Sequence, residues 1–192
     1  PMELDQSDPT ALEAALVTDK GTMVITFFAE QAPKHSKSFL DLAKKGFYDN
    51  LTWHRCIPNF VIQGGCPKGD GTGGPGYTIG AELSERPHVR GTVAMARGQT
   101  LDSAGSQFYI ARTKLPHLDK QYTVFGQVTS GFDVIDKVQQ GDRIQAERQV
   151  FRQRAAVVVQ GYRTRDAAFR LFRNEKLERY KRLDEVKAEV LT

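Results

Sequence analysis

The chain has 192 residues, of which 40% are hydrophobic and 26% are charged, and its formal net charge is +4. This composition suits one globular domain with an appendage and is too apolar for a disordered chain. No run approaches the roughly 18 apolar residues of a membrane-spanning helix, so we expect no membrane partner. The positive charge is concentrated near the C-terminus, where a solvated helix face explains it better than a nucleic-acid surface, so we expect no nucleic-acid partner.

Two cysteines, Cys56 and Cys66, and four histidines lack the spacing of a metal site. We therefore expect neither a metal nor a cofactor. The beginning of the sequence does not resemble a secretory signal, and two thiols fit a reducing compartment, so we expect a cytoplasmic location. The spacing leaves a disulfide between the two cysteines open.

The first hundred residues alternate short apolar runs with turns. Residues 11–18 and 23–28 flank a Gly-containing turn and predict a β-hairpin, with strand from about Ala15 onward. A helical turn near residues 12–15 fits the same letters. Pro33 begins a predicted helix, because proline is tolerated in the first turn and the apolar residues that follow recur at helical spacing.

Residues 53–65 place an arginine and a glutamine in an apolar, strand-like run. Side chains alternate along a strand, so Arg55 and Gln63 would share one face of two short strands, beside Phe60 or Val61. A cation beside an apolar wall is typical of a small binding site. A half-buried hairpin with two water-facing polar residues fits the same spacing, and this stretch alone does not separate the two interpretations.

Residues 69–74 match the pattern Gly-x-Gly-x-x-Gly. A dinucleotide-binding loop needs this pattern between a strand and a helix, whereas Pro75 and Gly76 follow here. The pattern therefore predicts a tight surface loop whose glycines adopt positive φ angles, and not a nucleotide site.

Strand-like runs follow at 91–97, 106–112, 122–128 and, weakly, 144–150. A turn lies at 115–119 and a short amphipathic helix at 131–138. Many short strands separated by Gly and Pro turns, with only two helices, predict a mainly β fold, a closed antiparallel barrel.

The last part of the chain has a different character. From about Arg163 it contains no Gly or Pro and is rich in helix formers. We therefore predict a barrel domain at 11–152 and a helical extension at 153–192, with residues 155–162 compatible with strand or helix. The apolar stripe of the extension either packs on the barrel or binds a partner.

Four separated stretches together resemble one family. Residues 53–65, 91–96, 105–110 and 118–126 are similar, in order and spacing, to cyclophilins of the bacterial type, which are peptidyl-prolyl cis-trans isomerases (EC 5.2.1.8). The resemblance covers roughly residues 15–150. It implies an eight-stranded antiparallel closed β-barrel capped by two α-helices, rotation about X–Pro bonds, and assistance to protein folding. It also implies proline-containing peptides and unfolded polypeptides as partners, and we expect a monomer.

The resemblance implies a role for each matching position. Arg55, Gln63 and Phe60 would be catalytic. Arg55 would stabilise the twisted amide, and Gln63 would orient Arg55. Ala96 and the backbone of Arg97 would pair with an extended peptide. The positions that would bind substrate along the proline socket and the groove beside it are Val61, Ala96, Arg97, Gln107, Tyr109, His117, Leu118 and Tyr122.

The chain departs from the best-known eukaryotic pattern of the family in several of these positions. Val61 replaces a methionine, and Tyr109 replaces a phenylalanine, so its hydroxyl needs a partner. Tyr122 replaces a histidine. His117 stands where an indole is common, which predicts weaker inhibition by cyclosporin. Alternation with Tyr109 places Phe108 in the core.

A second hypothesis is a proline-peptide binding module or chaperone, in which the C-terminal helix binds a protein partner and turnover is incidental. The Arg55, Phe60 and Gln63 set favours the isomerase.

Overall fold

The computed structural model describes residues 12–152. This part contains nine strands, two α-helices and a short 3-10 helix, namely β1 Leu12–Thr18, β2 Gly21–Phe27, α1 Pro33–Lys44, β3 Leu51–Thr52, β4 Arg55–Cys56, β5 Val61–Gly64, β6 Thr92–Met95, β7 Phe108–Ala111, the 3-10 helix Pro116–Leu118, β8 Val124–Ser130, α2 Phe132–Lys137 and β9 Arg143–Arg152. Strand β1 begins at Leu12, so residues 12–15 are strand and not a helical turn. The predicted C-terminal helix and residues 155–162 lie outside the described part.

All nine strands form one antiparallel sheet in the order β3-β9-β1-β2-β8-β6-β7-β5-β4. Only Trp53 and His54 connect the edge strands β3 and β4, a link that spans about 11 Å at most. The sheet must therefore curl until its edges are neighbours. The mainly β antiparallel fold with two helices is confirmed. Within residues 12–152 no strand pairing joins β3 to β4, so closure into an eight-stranded barrel is not confirmed.

Alternate residues of the central strands enter two different apolar clusters, because successive side chains point to opposite faces. The main core is built around the buried rings of Phe27, Phe39, Tyr48, Trp53, Phe108 and Phe125 and includes Ile62, Val93 and Met95. The second cluster contains Val61, Ala94, Tyr109, Ala111, Leu115 and Val124, with Phe28, Phe60, Ala96, Leu118 and Tyr122 packed against it. Phe108 therefore lies in the core, as its alternation with Tyr109 predicts.

Helix α1 packs its apolar side on the main core through Phe39 and neighbouring residues. Pro33 occupies the first turn, where its missing N–H costs no hydrogen bond. The free backbone amides of Lys34 and His35 donate to the two carboxylate oxygens of Glu82, each at 3.0 Å. Glu82 also lies 2.7 Å from Nδ1 of His35, whose side chain is fully buried. A distant carboxylate thus caps the helix. No helix in the described part is long and apolar enough to cross a membrane.

Candidate active site

A row of side chains crosses four strands on the face of the second cluster. Arg55 of β4 pairs with Gln63 of β5, Gln63 pairs with Tyr109 of β7, and Tyr109 pairs with Ala94 of β6. Side chains at directly paired positions lie on the same face of the sheet. Arg55 and Gln63 therefore share a face, as alternation predicted, and an aromatic ring follows them in the same row.

The turn between β4 and β5 places Phe60 beside this row. The Ile57 amide donates to the Val61 carbonyl at 2.9 Å, and Asn59 has a φ of 56°, a left-handed conformation that asparagine tolerates well. The carbonyl of Phe60 accepts a hydrogen bond from the Arg112 amide at 2.8 Å. The ring is thereby held with its centroid 5.6 Å from the guanidinium carbon of Arg55.

Two amide side chains connect Arg55 to the glycine-rich loop. Nη1 of Arg55 donates to Oε1 of Gln63 at 3.3 Å, and Nε2 of Gln63 donates to Oε1 of Gln107 at 3.2 Å. Nε2 of Gln107 donates to the carbonyls of Gly71 and Gly73, both at 2.8 Å. These bonds use both donors of the Gln107 amide. The direction of Arg55 therefore depends on a continuous chain of hydrogen bonds that ends on backbone.

The glycine-rich loop is tightly folded, as predicted. Gly69 and Gly71 have φ angles of 72° and 85°, which favour glycine. Burial by itself raises the pKa of the Cys66 thiol. Hydrogen bonds from backbone N–H groups of the loop, that of Gly73 first among them, together lower the pKa by more, so it lies below its usual value. Cys56 and Cys66 are both free thiols, so the disulfide that the spacing left open is not formed.

The second cluster forms an apolar floor next to Arg55. Val61 and Tyr109 are buried, and Phe60, Leu118 and Tyr122 are half-buried around them. The Tyr122 ring meets the Tyr109 ring edge-on at a centroid distance of 5.7 Å. The structure thus brings together Phe60, Val61, Tyr109 and Leu118, the positions that the resemblance implies for the proline socket.

The exposed His117 extends this apolar surface. Its ring stacks on that of Phe60 with a centroid distance of 5.8 Å and an interplanar angle of 12°. A histidine therefore covers the face of Phe60 at the rim of the second cluster. Weaker cyclosporin inhibition stays a prediction.

Arg97 has a side-chain contribution that sequence reasoning missed. Its guanidinium carbon lies 4.8 Å from the centroid of the Tyr122 ring, and its N–H groups donate to the carbonyls of Gln121, Gly98 and Gln99 at 3.0 to 3.3 Å. The side chain thus ties together two loops that border the site. The Ala96 amide donates to the Gln107 carbonyl at 2.8 Å, so this amide is not available to an extended peptide.

A groove of about 360 Å³ adjoins the second cluster. Its walls include Gln63, Ala96, Arg97, Ser103 and Gln107, together with the loop at 71–75. Gln107 lines the groove as predicted. In the part of the chain described here, no group of three His, Cys, Asp or Glu side chains could hold a metal.

The hydroxyl of Tyr109 finds a partner that sequence reasoning did not name. Nε2 of His88 lies 2.8 Å from it, and Nδ1 of His88 lies 3.0 Å from Oδ1 of Asp119. Burial lowers the pKa of His88 more than Asp119 raises it. Burial likewise raises the pKa of Tyr109. The one signal in the sequence was the need of a socket tyrosine for a polar partner.

Comparisons with known proteins identify a family. The model of the family described as cyclophilin type peptidyl-prolyl cis-trans isomerase/CLD matches residues 14–160. A peptidyl-prolyl cis-trans isomerase of Helicobacter pylori is 47% identical over 137 residues, which cover 69% of this chain and 83% of the relative. One of Synechococcus elongatus is 46% identical over 134 residues, covering 69% and 92%.

Solved structures extend the likeness to the fold. The crystal structure of a Cryptosporidium parvum cyclophilin type peptidyl-prolyl cis-trans isomerase has a TM-score of 0.67 and 30% identity, and the match covers 73% of this chain and 96% of the other. A second crystal structure of that protein, in the presence of the dipeptide Ala-Pro, has a TM-score of 0.66 at 31% identity and covers 72% and 96%. The chain described here belongs to the family of cyclophilin type peptidyl-prolyl cis-trans isomerases.

Proposed function

We propose that this protein accelerates rotation about X–Pro bonds by holding proline on the second cluster and directing Arg55 at the twisted amide. The observation that carries the proposal is the position of Arg55, which is exposed, bonded to Gln63 at 3.3 Å and beside the Phe60 ring. A cation with a fixed direction thus stands at the edge of an apolar surface.

The reaction explains why these residue types suffice. Resonance makes the peptide C–N bond partly double, so rotation has a barrier of about 18–20 kcal/mol. Uncatalysed X–Pro exchange takes tens to hundreds of seconds. No covalent bond is made or broken, so neither a nucleophile nor a general base is required. The site needs only to bind the twisted state better than the planar one.

Arg55 is suited to this differential binding. In the twisted amide the nitrogen becomes pyramidal and its lone pair becomes available as a hydrogen-bond acceptor. A guanidinium is always charged and carries five N–H donors, and only one hydrogen bond of Arg55 is made within residues 12–152. A preorganised donor of this kind contributes about 10²- to 10³-fold in comparable cases. Gln63, itself bonded to Gln107, keeps the donor aligned.

The substrate class follows from the shape and polarity of the surface. Phe60, Val61 and Leu118 offer apolar contacts to a proline ring, and the adjoining groove is lined by amide and hydroxyl groups that suit a peptide backbone. The presence of Ala-Pro with the Cryptosporidium parvum relative supports a proline-containing peptide as ligand. Flexible or unfolded chains present such bonds, which supports a role in protein folding. The two free thiols support a reducing compartment such as the cytoplasm.

Exchange NMR on a short X–Pro peptide tests the proposal. The peptide alone shows separate cis and trans signals, and the full-length protein is expected to bring them into rapid exchange at substoichiometric concentration. Leu118→Ala, which shrinks the apolar surface without touching Arg55, is expected to require more peptide for the same rate. Unchanged slow exchange with folded wild-type protein would refute the proposed function.

A further inference from the structure

We propose that the buried His88 and the partly exposed Asp119 form a positioning pair that makes peptide binding depend on pH through the hydroxyl of Tyr109. The inference rests on the proposed function in one respect, the use of the second cluster as the surface that binds proline. Neither His88 nor Asp119 belongs to the second cluster, so His88 acts through Tyr109, and Asp119 acts through His88.

The pair is fixed by three hydrogen bonds. His88 is fully buried, and its Nε2 lies 2.8 Å from the Tyr109 hydroxyl, with the two rings within 16° of parallel. Oδ1 of Asp119 lies 3.0 Å from Nδ1 of His88 and accepts a hydrogen bond from the His88 backbone amide at 2.7 Å. The His88 side chain therefore connects strand β7, which carries Tyr109, to the turn at 115–119 at the rim of the second cluster.

The partners of His88 determine its tautomer. An ionised carboxylate only accepts hydrogen bonds, so Nδ1 carries the proton that is donated to Asp119. Nε2 of the neutral ring is then an acceptor, and the Tyr109 hydroxyl donates to it. The carbonyl of His88 also accepts from the Leu115 amide at 2.9 Å, at the beginning of the turn that contains His117 and Leu118. The pair thus orients both the Tyr109 ring and this turn.

Protonation of His88 reverses the hydrogen bond to Tyr109. Nε2–H becomes a donor, so the phenolic proton must turn away from His88 toward the second cluster. In the described residues His88 is the only hydrogen-bond partner of that hydroxyl. The turned O–H then points at the apolar floor, and a proline ring seated there meets a polar group that has no acceptor. Peptide binding should therefore weaken as His88 becomes protonated.

The surrounding charges set the sign of the effect. Burial lowers the pKa of His88, with Asp119 partly opposing it and His117 adding to it, so the neutral form dominates at pH 7. Lys114 faces Asp119, and Tyr122 and Arg97 face Tyr109. Because linkage is reciprocal, bound peptide must lower the pKa of His88 further.

The test is an NMR titration of an X–Pro peptide between pH 8 and pH 5. It is made in the His117→Gln background, because His117 is a second histidine of the same surface. We expect the Kd to rise about 3- to 10-fold as the pH falls, which corresponds to the net contribution of one hydrogen bond. Tyr109→Phe and His88→Gln should abolish this dependence. Asp119→Asn should move its midpoint to lower pH, because the carboxylate supports the protonated ring.

His35→Gln is the matched control. His35 is equally buried and has a carboxylate partner at 2.7 Å, but its partner is Glu82 at helix α1. This variant should keep the pH dependence of peptide binding. A pH-independent Kd in the reference protein, or an unchanged dependence in Tyr109→Phe, would overturn the inference.

A second readout is independent of catalysis. Imidazole ¹⁵N shifts of His88 should show the Nδ1–H tautomer at pH 7 and a lower midpoint of titration when peptide is bound. If His88→Gln fails to fold, Tyr109→Phe still decides, since it removes a single oxygen atom. Loss of exchange catalysis with retained pH-dependent binding would contradict the proposed function alone, whereas catalysis with a pH-independent Kd would contradict only this inference.

Discussion

The main core and the second cluster share strands β5, β6 and β7 but are completed differently. In the main core, Phe108 is enclosed by the rings of Phe39, Tyr48 and Trp53 at centroid distances of 5.1 to 5.7 Å. The second cluster contains fewer large side chains, and Phe60 and Leu118 at its border are half-buried.

The difference shows how one set of strands serves stability and binding at once. Residues pointing to one face fill a closed interior, where burial of apolar area stabilises the fold. Residues pointing to the other face leave an apolar surface that a ligand can complete, with Arg55 and Gln63 at its edge. Substitutions in the main core should therefore change mainly stability, and substitutions around the second cluster should change mainly function.

The largest expected effect is on the main core. Phe108→Ala removes a fully buried ring with three aromatic neighbours and should lower the free energy of unfolding by about 3–5 kcal/mol. Leu118→Ala, at the border of the second cluster, should cost less than about 1.5 kcal/mol, because Leu118 is only half-buried. Urea denaturation of both variants measures this. Equal losses of unfolding free energy in the two variants would contradict the assignment of stability to the main core.

An intermediate effect is expected where the second cluster meets the glycine-rich loop. Gln107→Ala breaks the link from Gln63 to the carbonyls of Gly71 and Gly73 and frees Arg55 to move. Isomerisation should fall about 10-fold, which corresponds to about 1.4 kcal/mol. Gln31→Ala, which removes a 3.5 Å contact with Arg86 away from this chain of hydrogen bonds, is the control and should keep its rate. Both are measured by exchange NMR.

A smaller effect separates the two buried histidines that have carboxylate partners. Burial lowers the pKa of His35 and outweighs the opposing effect of Glu82. The unfolded chain, with a histidine pKa of about 6.5, therefore takes up the proton more readily than the folded one. The stability contributed by neutral His35 is present above that value and is lost as the pH falls through the lowered folded pKa.

Urea denaturation between pH 7.5 and pH 5 measures this contribution. The free energy of unfolding should fall with pH in the wild type and fall less in His35→Gln, whose peptide affinity should not change. An identical pH dependence in both proteins would contradict the assignment.

Much of the fold could be predicted because alternation and turn chemistry are local. That Arg55 and Gln63 share one face follows from a period of two on either side of a Pro-Asn turn, and the burial of Phe108 follows in the same way. The short strands β3 and β4 were harder to predict, because a strand of two residues is too short to show an alternating pattern. The predicted strand count and closure depended on those segments, and residues 12–152 form nine strands with no pairing between β3 and β4.

The polar connections of the site are not local and could not be predicted. His88 meets Tyr109 and Asp119 across 21 and 31 residues, and it lies in an irregular segment without a period. The guanidinium of Arg97 donates to backbone carbonyls of two loops, and every residue has such a carbonyl, so the sequence does not mark these partners. A sequence shows which groups need a hydrogen-bond partner, as with the Tyr109 hydroxyl, but the identity of the partner depends on the fold.

The most direct test separates binding from rotation in Arg55 variants. Exchange NMR at saturating X–Pro peptide gives the rate of interconversion on the protein, and the titration gives the Kd. Arg55→Ala should lower the bound-state rate by about 10²- to 10³-fold and change the Kd by less than about 3-fold, because the donor acts on the twisted amide. Arg55→Lys should restore little, since a single ammonium does not reproduce the planar fork. A full bound-state rate in Arg55→Ala would contradict the central role of Arg55.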